Sequence, residues 1–197
     1  MENQLKAYAR GQFEQSARIH NAMLSDEVLL EALANTAQAC MDALKNSRKL
    51  LFAGNGGSAA DAQHLAGELV SRFNYDRPGL CAFSLTTDTS VLTAIGNDYG
   101  YERLFARQIE AVGVAGDIFI GISTSGRSPN ILAGLRAARE KGMVTVGFTG
   151  SNGTEMQALC DYCLCAPADT TPRIQECHIL LGHTLCGLIE QGIFPKT

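Results

Sequence analysis

Two hydrophobic periods divide the chain. Residues 2–24 carry apolar side chains at helical spacing, among them Leu5, Tyr8, Ala9, Phe13, Ala17, Ile19 and Met23. Residues 27–46 repeat the pattern with Val28, Leu29, Ala32, Leu33, Ala37, Cys40, Met41 and Leu44. Recurrence every three to four residues predicts two amphipathic helices, the second capped by Ser25-Asp26. From residue 49 the pattern changes. Short, near-continuous apolar runs at 49–54, 80–85, 117–122, 143–148 and 162–166 alternate with helical patterns at 58–72, 89–97, 101–112, 129–141, 153–159 and 172–193. Strands that are apolar throughout belong to a parallel sheet buried on both faces. The expected fold is α/β: a doubly wound, flavodoxin-like parallel sheet with helices on both faces and an N-terminal helical extension. Residues 1–48 are expected to pack on the domain and at a subunit interface, and 49–197 to form the sheet domain. The two parts make one structural unit, without repeats or low-complexity linkers.

The turns that end two of these strands carry the first chemistry. Leu50–Ala53 runs into Gly54-Asn55-Gly56-Gly57, and a helix pattern follows at once. Glycines there allow positive φ and let a ligand approach the backbone closely. The free N–H groups and dipole of a helix start favour an oxyanion or hydroxyl cluster. Ser58 is the expected N-cap, with Asp61 in the capping-box position. The loop is neither GxxxxGK[ST], because no Lys follows the glycines, nor GxGxxG, and alone it is weak evidence. A second loop, Ser123-Thr124-Ser125-Gly126-Arg127-Ser128, repeats the arrangement after strand 117–122. Its four hydroxyls and backbone N–H groups suit a phosphate, and Arg127 can add charge. Pro129 suits the first turn of the next helix. Either loop could be an ordinary capped turn. Two of them after strands of one sheet point to a binding edge.

His64 and Glu68 stand at i and i+4 on the first of these helices and share a face. Such a pair can ligate a metal or move a proton. The last helix supplies Gln175 and His183, within roughly 80° of each other around its axis. His178 falls about 140° from His183 and reads as a core or interface residue.

Composition narrows the classes. The 197 residues are 46% hydrophobic and 18% charged, with a net charge of −4 and no Lys/Arg run. That balance suits a packed domain and not a nucleic-acid binder. No apolar run reaches the roughly 18 residues a membrane span needs. The polar start, MENQLKAYARGQFEQ, is unlike a signal peptide. Seven cysteines, an odd number, are then expected as reduced thiols in the cytoplasm. Cys160-x-x-Cys163-x-Cys165 lacks a second pair and is expected as buried small hydrophobes, not a zinc site.

Taken together, GNGGSAADAQHLAGELVSRF, LTTDTSVLTAIGNDYGYE, STSGRSPNIL and RIQECHILLGH resemble the sugar isomerase (SIS) family across essentially the whole chain. Within it they are similar to the isomerases that convert sedoheptulose 7-phosphate to D-glycero-D-manno-heptose 7-phosphate. The resemblance implies that Ser123, Thr124, Ser125 and Ser128 hold the phosphate. It implies that Asn55, Gly56, Gly57, Asn97, Asp98 and Gln175 contact the sugar. Glu68, which also contacts substrate, and His183 would move a proton between C1 and C2 through an enediol. It further implies one zinc ion per subunit on His64, Glu68, Gln175 and His183, and a homotetramer with active sites at subunit contacts. The alternative is a non-catalytic SIS-domain protein that associates with the replication initiator. That pattern lacks the helix glutamate, so Glu68 favours an enzyme.

Overall fold

The structure, a computed structural model, describes residues 1–196. Two helices come first, α1 (Glu2–Leu24) and α2 (Glu27–Lys45). Asp26 caps α2 by accepting from the Leu29 N–H at 3.0 Å. Then follow β1 (Leu50–Gly54), α3 (Gly57–Val70), β2 (Ala82–Ser84) and α4 (Thr89–Tyr99). After a 3₁₀ turn at Tyr101–Arg103 come α5 (Leu104–Val112), β3 (Ile118–Ile122), α6 (Pro129–Glu140) and β4 (Val144–Thr149). The chain closes with α7 (Thr154–Gln157), β5 (Tyr162–Cys165) and α8 (Thr171–Ile193).

All strand pairs are parallel and the order is β2-β1-β3-β4-β5. This is the doubly wound, flavodoxin-like order expected from the alternation. Its switch point lies between β1 and β3, where open α/β sheets bind ligands at the strands' carboxyl ends. Side chains alternate along β1. Leu50 and Phe52 enter one core with Leu33, Leu65 and Leu181 from α2, α3 and α8. Leu51 and Ala53 enter a second core with Ile95, Ile109 and Leu135 from α4, α5 and α6. β1 and β3 are buried throughout, whereas the edge strands β2 and β5 are partly open.

Three local expectations are corrected. The N-cap of α3 is Gly56, at φ 55°, and not Ser58, which is buried inside the first turn with its N–H on the Asn55 carbonyl. Asp61 therefore makes no capping box. α4 does not break at Asn97: it runs on to Tyr99 and stops at Gly100, whose φ of 83° suits glycine. Cys160, Cys163 and Cys165 are half-buried, not core residues; Cys163 and Cys165 lie on the edge strand with sulfurs 3.8 Å apart. Among the described residues no helix is long and apolar enough to cross a membrane.

The helical extension packs on α8. Arg173 Nη1 donates to the Gln12 carbonyl at 2.9 Å, and Ser16 Oγ to Glu176 Oε2 at 2.8 Å. Only Met23 of α1 is buried, and Leu5, Tyr8 and Phe13 are exposed.

Candidate active site

The two loops meet at the switch point. Pairing of β1 with β3 sets Gly54 against Ile122, so the Gly loop and the Ser/Thr loop leave the sheet side by side. A reciprocal amide pair joins them. Asn55 Nδ2 donates to Asn130 Oδ1 at 2.9 Å, and Asn130 Nδ2 returns a bond to Asn55 Oδ1 at 2.8 Å. Tyr101 Oη donates to the same Asn55 oxygen at 3.0 Å. Asn130 is buried behind Pro129 in the first turn of α6. Reading by motif missed Asn130 and Tyr101, since nothing local marks a bond spanning 75 residues. Asn130→Ala would leave the Asn55 Nδ2 donor without its acceptor. Such a loss should cost about 1–3 kcal/mol, read as a shift in urea denaturation.

A Cβ at Gly57 would meet the Gln175 side-chain amide, which would have to move. Gln175 therefore stands against the Gly loop. In the second loop, Ser123 is buried and its hydroxyl pairs with Ser128 Oγ at 2.8 Å. Ser128 is the N-cap of α6, with Pro129 in the first turn as expected. Ser125 and Arg127 are exposed, and the Arg127 N–H donates to Ser125 Oγ at 3.2 Å. Thr124, Ser125, Arg127, Gly150, Ser151 and Asn152 line a cavity of about 120 Å³ at the loop's mouth. Asn97 and Asp98 are exposed in the last turn of α4, bonded to each other at 2.7 Å. They do not line the cavity between the Gly loop and α4, which Tyr101 and Gly96 do.

A second cluster lies where α3 packs beside α8. His64 Nε2 is 2.8 Å from His183 Nε2 and 3.3 Å from Glu68 Oε1. One ligand atom from each residue falls within 4.8 Å of the other two, and among the described residues this is the only such group of three His, Cys, Asp or Glu side chains. The imidazole rings meet edge to face at 5.0 Å, and the Phe73 ring backs His183 at 5.6 Å. One turn before His64, Asp61 holds a buried carboxylate oxygen without a hydrogen-bond partner. Burial pushes its carboxyl up, and the nearby His64 and His183 work the other way. Three of the four residues that the resemblance grouped meet here; Gln175 precedes His183 by eight residues, roughly 12 Å along α8, with its amide against Gly57. The buried His178 donates its Nε2–H to the Thr149 carbonyl, 3.1 Å away, as befits a core residue.

The chain thus carries oxyanion-competent loops at the switch point and a Glu–His–His cluster further along α3. Known proteins resemble the chain in sequence and fold. A family model described as the SIS domain matches residues 13–150. The phosphoheptose isomerase of Burkholderia pseudomallei (strain K96243) is 58% identical over 196 residues, covering 100% of both chains. The solved phosphoheptose isomerase of Neisseria gonorrhoeae superposes with a TM-score of 0.88 at 42% identity, over 95% of this chain and 99% of that one. That of Francisella tularensis gives 0.89 at 36% identity, over 94% and 97%. With sequence and fold in agreement over nearly the whole length, the chain belongs to the SIS-domain family, among the phosphoheptose isomerases.

Proposed function

We propose that this chain is an aldose–ketose isomerase that converts sedoheptulose 7-phosphate to D-glycero-D-manno-heptose 7-phosphate, the first step toward an ADP-heptose precursor of lipopolysaccharide or other heptose-containing glycans. The observation that carries the proposal is the convergence of Glu68, His64 and His183 in a chain that also offers a phosphate loop. A binding module needs the loop alone. Isomerisation needs, in addition, a base near the proton on C1 and an acid near the carbonyl oxygen on C2. Glu68 takes the C1 proton and His183 gives a proton to O2, which leaves the enediol. Return of a proton to C2, with loss of the O1 proton, completes the aldose. Ser123, Thr124, Ser125 and Ser128 hold the phosphate, while Asn55, Gly56, Gly57, Asn97, Asp98 and Gln175 contact the sugar. The test is incubation with sedoheptulose 7-phosphate, reading aldose product with and without a chelator. No turnover of it, alongside good turnover of six-carbon phosphates, would overturn the substrate assignment.

The donor set also fits zinc. Two imidazole nitrogens and a carboxylate oxygen converge on one point, and three protein ligands suit a zinc site with an open position. His64, Glu68 and His183 would hold the ion in a resting state, where it would polarise a carbonyl or hydroxyl oxygen; Glu68 and His183 take part in proton transfer when their lone pairs are free of it. Gln175, against the Gly loop, is free to contact the sugar.

Assembly is part of the reading. Glu68 lies eleven residues beyond Gly57, roughly 16 Å along α3. That spacing supports a site in which loops and reactive pair come from neighbouring subunits. The exposed apolar residues of α1 support a homotetramer built on the first two helices and α8. Light scattering is expected to give a tetramer, and a monomer at micromolar concentration would contradict it. The seven free thiols support a cytoplasmic setting.

Phosphate affinity should reside in the second loop. Ser125→Ala is expected to raise KM more than any change at the Glu–His cluster, by roughly tenfold, the worth of one hydrogen bond to a charged group. Its kcat should stay near normal; steady-state kinetics with the heptulose phosphate decides.

A further inference from the structure

Arg77 and Glu190 form an ion pair whose side chains are 2% and 0% exposed. Enclosed charges are costly unless their donors and lone pairs find partners. Here they do. Arg77 Nε donates to Glu190 Oε1 at 3.1 Å. Its Nη1 reaches the carbonyl oxygens of Leu69, Ser71 and Pro78, and its Nη2 that of Glu68 at 2.9 Å. Glu190 accepts the backbone N–H of Phe73 at 2.9 Å and of Asn74 at 2.7 Å.

The groups held this way belong to the reactive cluster. Arg77 ties down the end of α3 at the residue that carries the carboxylate. Glu190, on the helix that carries His183, ties down the segment whose Phe73 ring backs that imidazole. Stability alone does not call for such a pair, because well-packed apolar residues of similar volume often serve as well or better. Apolar residues could not hold the Glu68 carbonyl and two N–H groups at once.

We infer that the Arg77–Glu190 pair is a positioning device that keeps Glu68 and His183 in register by tying the end of α3 and residues 73–74 to α8. The inference rests on the reading of Glu68 and His183 as the proton-transfer pair. Neither Arg77 nor Glu190 touches the substrate in it. A displacement of about 1 Å among reacting groups can cost on the order of 10²-fold in rate.

Two variants of the full chain test this. Glu190→Gln keeps the shape but puts an amide donor where one of two N–H groups needs an acceptor. Arg77→Lys keeps the charge but cannot serve four carbonyls and a carboxylate. Each is assayed with sedoheptulose 7-phosphate at a temperature where circular dichroism shows it fully folded. The imidazole resonances of His64 and His183 are recorded by NMR without substrate. The expected result is a kcat lowered about 10–100-fold, with KM changed by less than about threefold because the phosphate loop lies at the other end of α3. The imidazole resonances should shift in both variants. A pair with only a structural role would lower the melting temperature and leave kcat per folded molecule unchanged. Unmoved resonances with kcat within about twofold of wild type would overturn the inference. If the wild type itself fails to turn over while the resonances move, the proton-transfer reading falls and the positioning stands. If Glu190→Gln does not fold, Arg77→Lys decides.

Discussion

Replacing Glu68 with glutamine is expected to leave the chain folded and to lower kcat by about 10²–10⁴-fold, the usual worth of a positioned acid–base group. The side chain is partly open and makes its closest polar approach to His64, at 3.3 Å. Glutamine fills the same space, so little packing is lost. What disappears is the carboxylate proposed to take the C1 proton. His183→Ala should lose turnover over a similar range, by removing the acid and the ring wedged between His64 and Phe73. With Glu68 and His183 on one proton path, as proposed, their losses should not add in the double variant. Binding of sugar phosphate should survive in all three, since the proposal places phosphate affinity in residues 123–128. Calorimetric titration beside steady-state kinetics separates the two. Near-normal kcat in Glu68→Gln would remove the catalytic assignment and leave a protein that binds sugar phosphate without turning it over.

Acidification from pH 6.5 to 4 is expected to cost about 3 kcal/mol of stability through His178 alone. Burial pushes this imidazole down from 6.5 to about 4, with the hydrogen bond to the Thr149 carbonyl acting the other way. Its second ring nitrogen is enclosed without a partner, so the folded protein has no place for a second N–H there. In the unfolded chain His178 takes up a proton as pH falls through 6.5; in the folded chain it does not until about 4. The unfolded state then binds more protons, and stability declines across that window. Glu190 extends the decline to lower pH. Burial acts to raise its carboxyl, but the N–H groups of Asn74 and Phe73 and the Arg77 guanidinium together hold it low. Its contribution is present above the ordinary carboxylate range and is lost below it. Asp61, raised by burial, works in the opposite sense over the carboxylate range. Urea denaturation at pH 7 and pH 4.5 should show the loss, and His178→Gln should flatten it between pH 6.5 and 4. An equal pH dependence in wild type and variant would contradict the assignment.

Much of the fold was legible in the residues themselves. Runs such as Leu50–Ala53 and Ile118–Ile122 are apolar at every position, which only a sheet covered on both faces can bury. Asp26 and Pro129 mark helix starts by local chemistry, and the structure has them where that chemistry put them. Both oxyanion loops were visible because each follows a strand and opens a helix within a few residues. His64 and Glu68 share a face because helical geometry alone requires it. Ser58 misled because its side chain suits an N-cap, while Gly56 could take the positive φ that starts the helix two residues earlier.

Tertiary structure decided the rest. Asn55 meets Asn130, His64 meets His183 and Arg77 meets Glu190 across 75, 119 and 113 residues. Gln175 and His183 lie within roughly 80° of each other around α8, yet packing against α3 sets the first on the Gly loop and the second on His64. Local sequence carries the periodicity and the caps, since those depend on neighbours within a turn. It carries no signal for which distant polar groups meet, because that follows from how α3 and α8 pack over one face of a twisted sheet.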